Sequence, residues 1–180
     1  MRKQLLNPKQ LFDPRFFTHT VAVSGPMKLV YVSGQVSYDR EGIVHGAGDL
    51  RAQTEQTFKS LTHNLKAAGA DWSDVIKMNG YLVGMTPDAV NMYRGVRARY
   101  LDPKNMPAST LVGVERLVHE DLLVEIEVVA ALDASPERRG TKSLSKPKAK
   151  RAAGPAPKRA AGPAPKRAAG PAPKRAGARR

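Results

Sequence analysis

The chain contains no cysteine, which removes disulfide scaffolds, thiolate metal sites and cysteine nucleophiles together. Nothing in it approaches the ~18 uninterrupted apolar residues of a membrane-spanning helix. The stretch Met1-Arg2-Lys3-Gln4-Leu5-Leu6-Asn7-Pro8 carries basic residues but no apolar core of a secretion signal. A soluble, cytoplasmic protein with no membrane partner is therefore expected. Glycine-rich phosphate loops are missing, as is the Gly-x-Ser-x-Gly elbow, so neither nucleotide cradling nor serine hydrolysis is supported. The four histidines, His19, His45, His63 and His119, are scattered without metal-ligand spacing. No metal and no organic cofactor is expected.

Acid is also absent, but only from one part of the chain. Of the 180 residues, the last 40 hold 13 of the 30 Lys and Arg and none of the 16 acids. The remaining 17 basic residues face all 16 acids, so the formal charge of +14 divides into +1 on the body and +13 on the tail. Within that tail Lys150-Arg151-Ala152-Ala153-Gly154-Pro155-Ala156-Pro157 recurs from Lys158 and from Lys166, with a broken copy at Lys174. The repeat has no large apolar side chain to offset ordering entropy, and its prolines and glycine prevent a continuous helix. We expect a disordered tail over residues 134–180, a domain over 17–133 and an N-terminal segment over 1–16. The pairs Lys150 and Arg151, Lys158 and Arg159, Lys166 and Arg167, and Lys174 and Arg175 are candidate contacts to DNA or RNA phosphates, binding without sequence preference. No aromatic side chain is interleaved, so base stacking is not expected.

In the body, Val21–Val23 and Leu29–Ser33 are β-rich runs around Ser24-Gly25-Pro26 and read as a hairpin. Val36 through Val44 reads as a further short strand. From Asp49 the period changes: Leu50, Thr54, Phe58, Leu61, Leu65 and Ala68 recur at three and four, with Asp49 as N-cap and Gly69 as the closing glycine. A strand over residues 74–83 precedes Thr86-Pro87, which starts a second helix running to about Leu101, before Pro103. Strands near Thr110–Leu117 and Leu122–Leu132 complete an α+β fold. It is a mixed β-sheet with two helices on one face and the other face bare, so oligomerisation is expected.

Glu125 and Glu127 stand two apart on the most apolar strand, so both carboxylates project from one face. Such a pair is ordinarily a solvated strand face, yet acids on so apolar a strand call for a reason. Ser33-Gly34-Gln35, closing another apolar strand, reads either as a bulge or as a place where a ligand nears the backbone.

Seven blocks, in order, resemble the RidA family, also called YjgF or endoribonuclease L-PSP-like, over roughly Phe17 to Leu132. They are Val30-Tyr31-Val32-Ser33-Gly34-Gln35-Val36, Gly48-Asp49-Leu50-Arg51-Ala52-Gln53-Thr54, Leu65-Lys66-Ala67-Ala68-Gly69-Ala70, Asp74-Val75-Ile76-Lys77, Val90-Asn91-Met92-Tyr93, Pro107-Ala108 and Val124-Glu125-Ile126-Glu127-Val128-Val129-Ala130. The resemblance implies a chorismate-mutase-like fold assembled as a homotrimer, with small-molecule clefts between subunits. It also implies cofactor-free hydrolysis of 2-imino acids to 2-keto acids and ammonia. On this resemblance Glu125 is the candidate catalytic residue, and Ser33, Asn91, Ser109 and Phe17 are candidate ligand contacts. The family's carboxylate-clamping arginine falls where this chain has Ser109, and its cleft tyrosine falls near Phe17, which lacks the hydroxyl.

Three functions stay open at this point. One is metabolite binding without classical deamination; another is hydrolysis of a different imine or enamine through Glu125; the third is nucleic-acid association through the tail. The third has a direct check. At about 50 mM salt the full chain should retard a DNA duplex that a chain ending at Gly140 does not. At about 200 mM most of that retardation should be lost, because released counterions supply the affinity. Equal retardation by both chains would remove the tail from the account.

Overall fold

A computed structural model of the chain describes residues 1–134. The candidate phosphate contacts of the tail, Lys150, Arg151, Lys158, Arg159, Lys166, Arg167, Lys174 and Arg175, all lie outside the described residues. The order is β1 (Arg2–Leu6), β2 (Thr20–Ser24), β3 (Met27–Gln35), α1 (Leu50–Ala67), β4 (Val75–Val83), α2 (Pro87–Arg97), β5 (Ala108–Val114) and β6 (Val124–Asp133). Strands β3, β6, β4 and β5 form one sheet in that spatial order, and β1 with β2 forms a separate ladder. β6 runs antiparallel to both β3 and β4, whereas β4 and β5 are parallel. β3 and β4 therefore point the same way, and α1 and α2 are crossovers between parallel strands.

α1 forms where the three-and-four period places it. Asp49 accepts from the Ala52 N–H at 3.0 Å, and Thr54, Phe58, Leu61 and Leu65 are all buried. Gly69, at φ +79°, lets the chain reverse, so that Ala70 N–H reaches Leu65 O at 2.9 Å and Gly69 N–H reaches Lys66 O at 3.0 Å. From the sheet, Val124, Ile126, Val128 and Ala130 of β6 meet this helix face, together with Val75, Met78 and Leu82 of β4. Phe58 stacks on Tyr100 at 4.7 Å between centroids, and Trp72 lies 5.4 Å from each ring. Both helices thus cover one face of a mixed sheet, as the pattern implied.

Three local expectations are corrected. The runs at Val21–Val23 and Leu29–Ser33 are strands, but they do not pair with each other. β2 pairs with β1, Ser24 opposite Arg2, and β3 pairs with β6, Met27 opposite Asp133. Periodicity shows that a segment is extended and leaves its partner undetermined, and the N-terminal residues carry no pattern that marks a strand. Residues 36–44 make only a single bridge, Tyr38 with Val44. There the Asp39 carboxylate accepts from Glu41 N–H at 3.0 Å and Ile43 N–H at 2.8 Å, taking donors that a ladder would use. Finally, α2 ends at Arg97 rather than near Leu101. The chain tightens into turns there, with Arg99 N–H on Val96 O at 3.1 Å and Tyr100 N–H on Arg97 O at 3.0 Å, and Pro103 disfavours helix only at Asp102, beyond that end.

One buried polar residue ties the layers together. Gln53, fully buried in the first turns of α1, donates through Nε2 to Gly46 O at 3.1 Å and to Asp121 O at 2.7 Å. Its Oε1 accepts from Leu123 N–H at 2.8 Å, one residue before β6. Gln53→Leu keeps the volume but strands three backbone groups. It should lower stability by about 2–4 kcal/mol, measured by urea unfolding.

Candidate functional site

Alternation on β6 sends Val124, Ile126 and Val128 into the core and Glu125, Glu127 and Val129 to the face without helices. Opposite them on β4 stand Tyr81, Asn79 and Lys77. The two glutamates, equivalent by sequence spacing, meet different surroundings. Glu127 Oε1 accepts from Asn79 Nδ2 at 2.6 Å and from the Tyr81 hydroxyl at 3.3 Å. Burial, then the Glu127 charge and its hydrogen bond, push the Tyr81 hydroxyl above its ordinary pKa, so it stays a proton donor. Lys77 Nζ donates to Thr110 Oγ1 of β5 at 3.0 Å. This cluster borders a hollow of about 330 Å³ that Tyr31 and Ser33 also line.

Glu125 is placed differently. It lines a depression of about 490 Å³ with Gly34, Gln35, Tyr38, Asp39, Ser60 and Val118. Its carboxylate lies directly over the Gly34 backbone: a Cβ built on Gly34 would sit 2.8 Å from Glu125 Cδ and closer still to Oε1. Only glycine permits that approach, and the β3–β6 register shifts at the same place, as the bulge reading of Ser33-Gly34-Gln35 expected. No hydrogen bond or ion pair holds the Glu125 carboxylate among the described residues. Half-buried and unpartnered, it is free to hold a water molecule or a polar ligand atom.

The other candidate contacts are not gathered around it within one chain. Ser33 is exposed on β3 and lines the Glu127 hollow instead. Asn91 is exposed on α2 and borders a separate depression of about 340 Å³ with Met85, Thr86, Val90 and Arg94. Ser109 lies on β5 opposite Met78, which points into the core, so its side chain is on the helix-covered face. Phe17 packs edge-on against Phe12 at 5.9 Å and His19 at 5.2 Å, ahead of β2. β3 and β5 are opposite edges of the sheet, so no single chain can bring Gly34 and Ser109 to one ligand. Lys77, Asn79 and Tyr81 were not singled out from sequence, although polar groups at every second residue of a strand are a readable signal. Among the described residues no three His, Asp or Glu converge to hold a metal ion, and no helix is long and apolar enough to cross a membrane.

Residues 16–132 match the family described as endoribonuclease L-PSP. A RutC family protein of Pyrococcus horikoshii is 36% identical over 101 residues, covering 56% of this chain and 77% of its own. The 3-aminoacrylate deaminase RutC of Acinetobacter baylyi is 36% identical over 103 residues, covering 57% and 78%. Among solved structures, a Rid-family protein from Yersinia pestis superposes with a TM-score of 0.63 at 31% identity, covering 73% of this chain and 100% of that one. RidA from an Antarctic Psychrobacter gives 0.52 at 26% identity, covering 72% and 99%. The mixed sheet with its two crossover helices and these matches lead to one conclusion: the chain belongs to the endoribonuclease L-PSP, or RidA/YjgF, family.

Proposed function

We propose that the chain assembles as a homotrimer and hydrolyses a small imine or enamine in clefts between subunits, with Glu125 handling the water. The observation that carries this is the half-buried Glu125 carboxylate, left without a partner among the described residues over Gly34, while Glu127 beside it is engaged through Oε1 by Asn79 and Tyr81. A carboxylate so placed can take a proton from water as its oxygen bonds to the C=N carbon. It can then return that proton to the nitrogen, and as the C–N bond breaks the adduct's hydroxyl gives its own proton to the leaving nitrogen, so that a carbonyl remains and ammonia departs; an enamine enters this step as its imine tautomer, protonated on carbon by solvent. The reaction needs no oxidant and no cofactor. That one relative is named a 3-aminoacrylate deaminase supports the substrate class.

Assembly is supported by the bare sheet face, where Leu29, Tyr31 and Val112 are exposed by 44%, 75% and 38%. It is supported too by the division of candidate residues between opposite sheet edges, which a neighbouring copy would bring together. Ser109 offers one neutral hydrogen bond where an arginine would offer two ionic ones. At about 1.5–3 kcal/mol for each charged bond, a substrate carboxylate held only there would bind roughly a hundredfold more weakly. Classical 2-imino acids are therefore good substrates only if another cation meets that carboxylate.

Ammonia release from freshly generated 2-aminoacrylate and from 3-aminoacrylate tests the reading. Glu125→Gln should lower turnover at least a hundredfold with the trimer intact by sedimentation. Glu127→Gln, whose carboxylate is already engaged, should lower it far less. Retention of activity in the Glu125→Gln protein would overturn the assignment.

A further inference from the structure

β3 and β6 do not stay in step. Between Val32, opposite Val128, and Gln35, opposite Ile126, three steps along β3 are matched by two along β6, so β3 carries one extra residue. A regular ladder would set Gly34 opposite Ile126 and Gln35 opposite Glu125. Residues directly opposite share a sheet face, so in that ladder the Gln35 side chain would stand beside Glu125 on the face without helices. The bulge sends it to the other face, the side of the buried Ile126 and of α1, and leaves Gly34 beneath the Glu125 carboxylate.

On the helix side Gln35 meets Asn64, an exposed residue of α1. Asn64 Nδ2 donates to Gln35 Oε1 at 3.0 Å and to Ser60 O, one turn back in the helix, also at 3.0 Å. Gln35 Nε2 in turn donates to Ser33 O at 3.0 Å and to Gly34 O at 3.3 Å, the two carbonyls of the bulge. Backbone carbonyls stand at both ends of this chain of bonds, and a carbonyl only accepts. Neither amide can be turned round without setting oxygen against oxygen. The helix thus orients Asn64, Asn64 orients Gln35, and Gln35 clasps the bulge.

We propose that Asn64 is a positioning residue that acts through Gln35, holding β3 in the bulged register in which the Glu125 carboxylate is left without a partner among the described residues. This rests on the reading of Glu125 as the group that handles water. The neighbouring pair shows what the regular register would do. Asn79 stands directly opposite Glu127, and its amide holds that carboxylate at 2.6 Å. Gln35 opposite Glu125 would engage the second carboxylate in the same way, and the free acid would be lost.

Asn64→Asp is the sharpest test, because it keeps the shape of an exposed side chain while replacing the donor with an oxygen aimed at Gln35 Oε1. Ammonia release by the full chain from freshly generated 2-aminoacrylate or 3-aminoacrylate should fall about tenfold in kcat, with KM within about twofold, since one orienting hydrogen bond is lost and no substrate contact. In a Gln35→Met background the same change should alter kcat by less than about twofold, because the residue it acts through is gone. A through-space effect of the new charge would persist there. Crystal structures should place Gln35 opposite Ile126 in the wild type and opposite Glu125 in Asn64→Asp. An intact bulge in Asn64→Asp, or a loss of kcat that persists beside Gln35→Met, overturns the proposal. If the wild type hydrolyses no imine, the Glu125 reading falls by its own assay, while the register in the two crystal structures still decides this one.

Discussion

The structure depends on β6, a strand that must satisfy two environments at once. Its position between β3 and β4 obliges one face to fill the core, and Val124, Ile126, Val128 and Ala130 are accordingly buried to within 1%. The pleat then forces Glu125 and Glu127 together onto the other face. A shift of one residue would bury two carboxylates and expose four core side chains, so the register of the central strand is strongly fixed. Chemistry and stability are held by the same hydrogen-bond ladder.

That ladder also separates the two acids. Asn79 and Tyr81, across from β6 on β4, hold Glu127 in a closed hydrogen-bonded group. Glu125 instead faces the register shift in β3, where Gly34 lets a carboxylate rest against bare backbone. A half-buried acid with no partner is costly to keep unless something occupies the space before it, and the 490 Å³ depression is that space. Arg97 at the end of α2, whose Nε and Nη2 are buried without a partner among the described residues, poses the same problem with the opposite sign.

Much of the fold was legible in the sequence. The period of α1 between Asp49 and Gly69, the Thr86-Pro87 start of α2 and the alternation of β6 are local patterns, and local sterics and capping enforce them. What was not legible was pairing. β1 escapes a reading by pattern because five residues of mixed polarity carry no period of their own, and they become a strand only against β2. Residues 36–44 have the composition of a strand, but the Asp39 side chain takes their backbone donors. Gln53 and Arg97 read as ordinary polar helix positions, because burial is decided by what packs over a residue.

By itself, then, the sequence determined the two helices, the inward face of the central strand, the family likeness, and the division between a near-neutral body and a last stretch of 40 residues with +13 charges and no acid. These follow from composition and from interactions reaching only a few residues along the chain. Only the tertiary structure decided which of two equivalent glutamates is engaged and which is free, because Asn79, Tyr81 and Gly34 lie far from β6 in sequence. It alone set Ser33 and Ser109 on opposite edges of one sheet. Those are consequences of strand order and crossover direction, which arise from the packing of the whole chain and are written in no single segment of it.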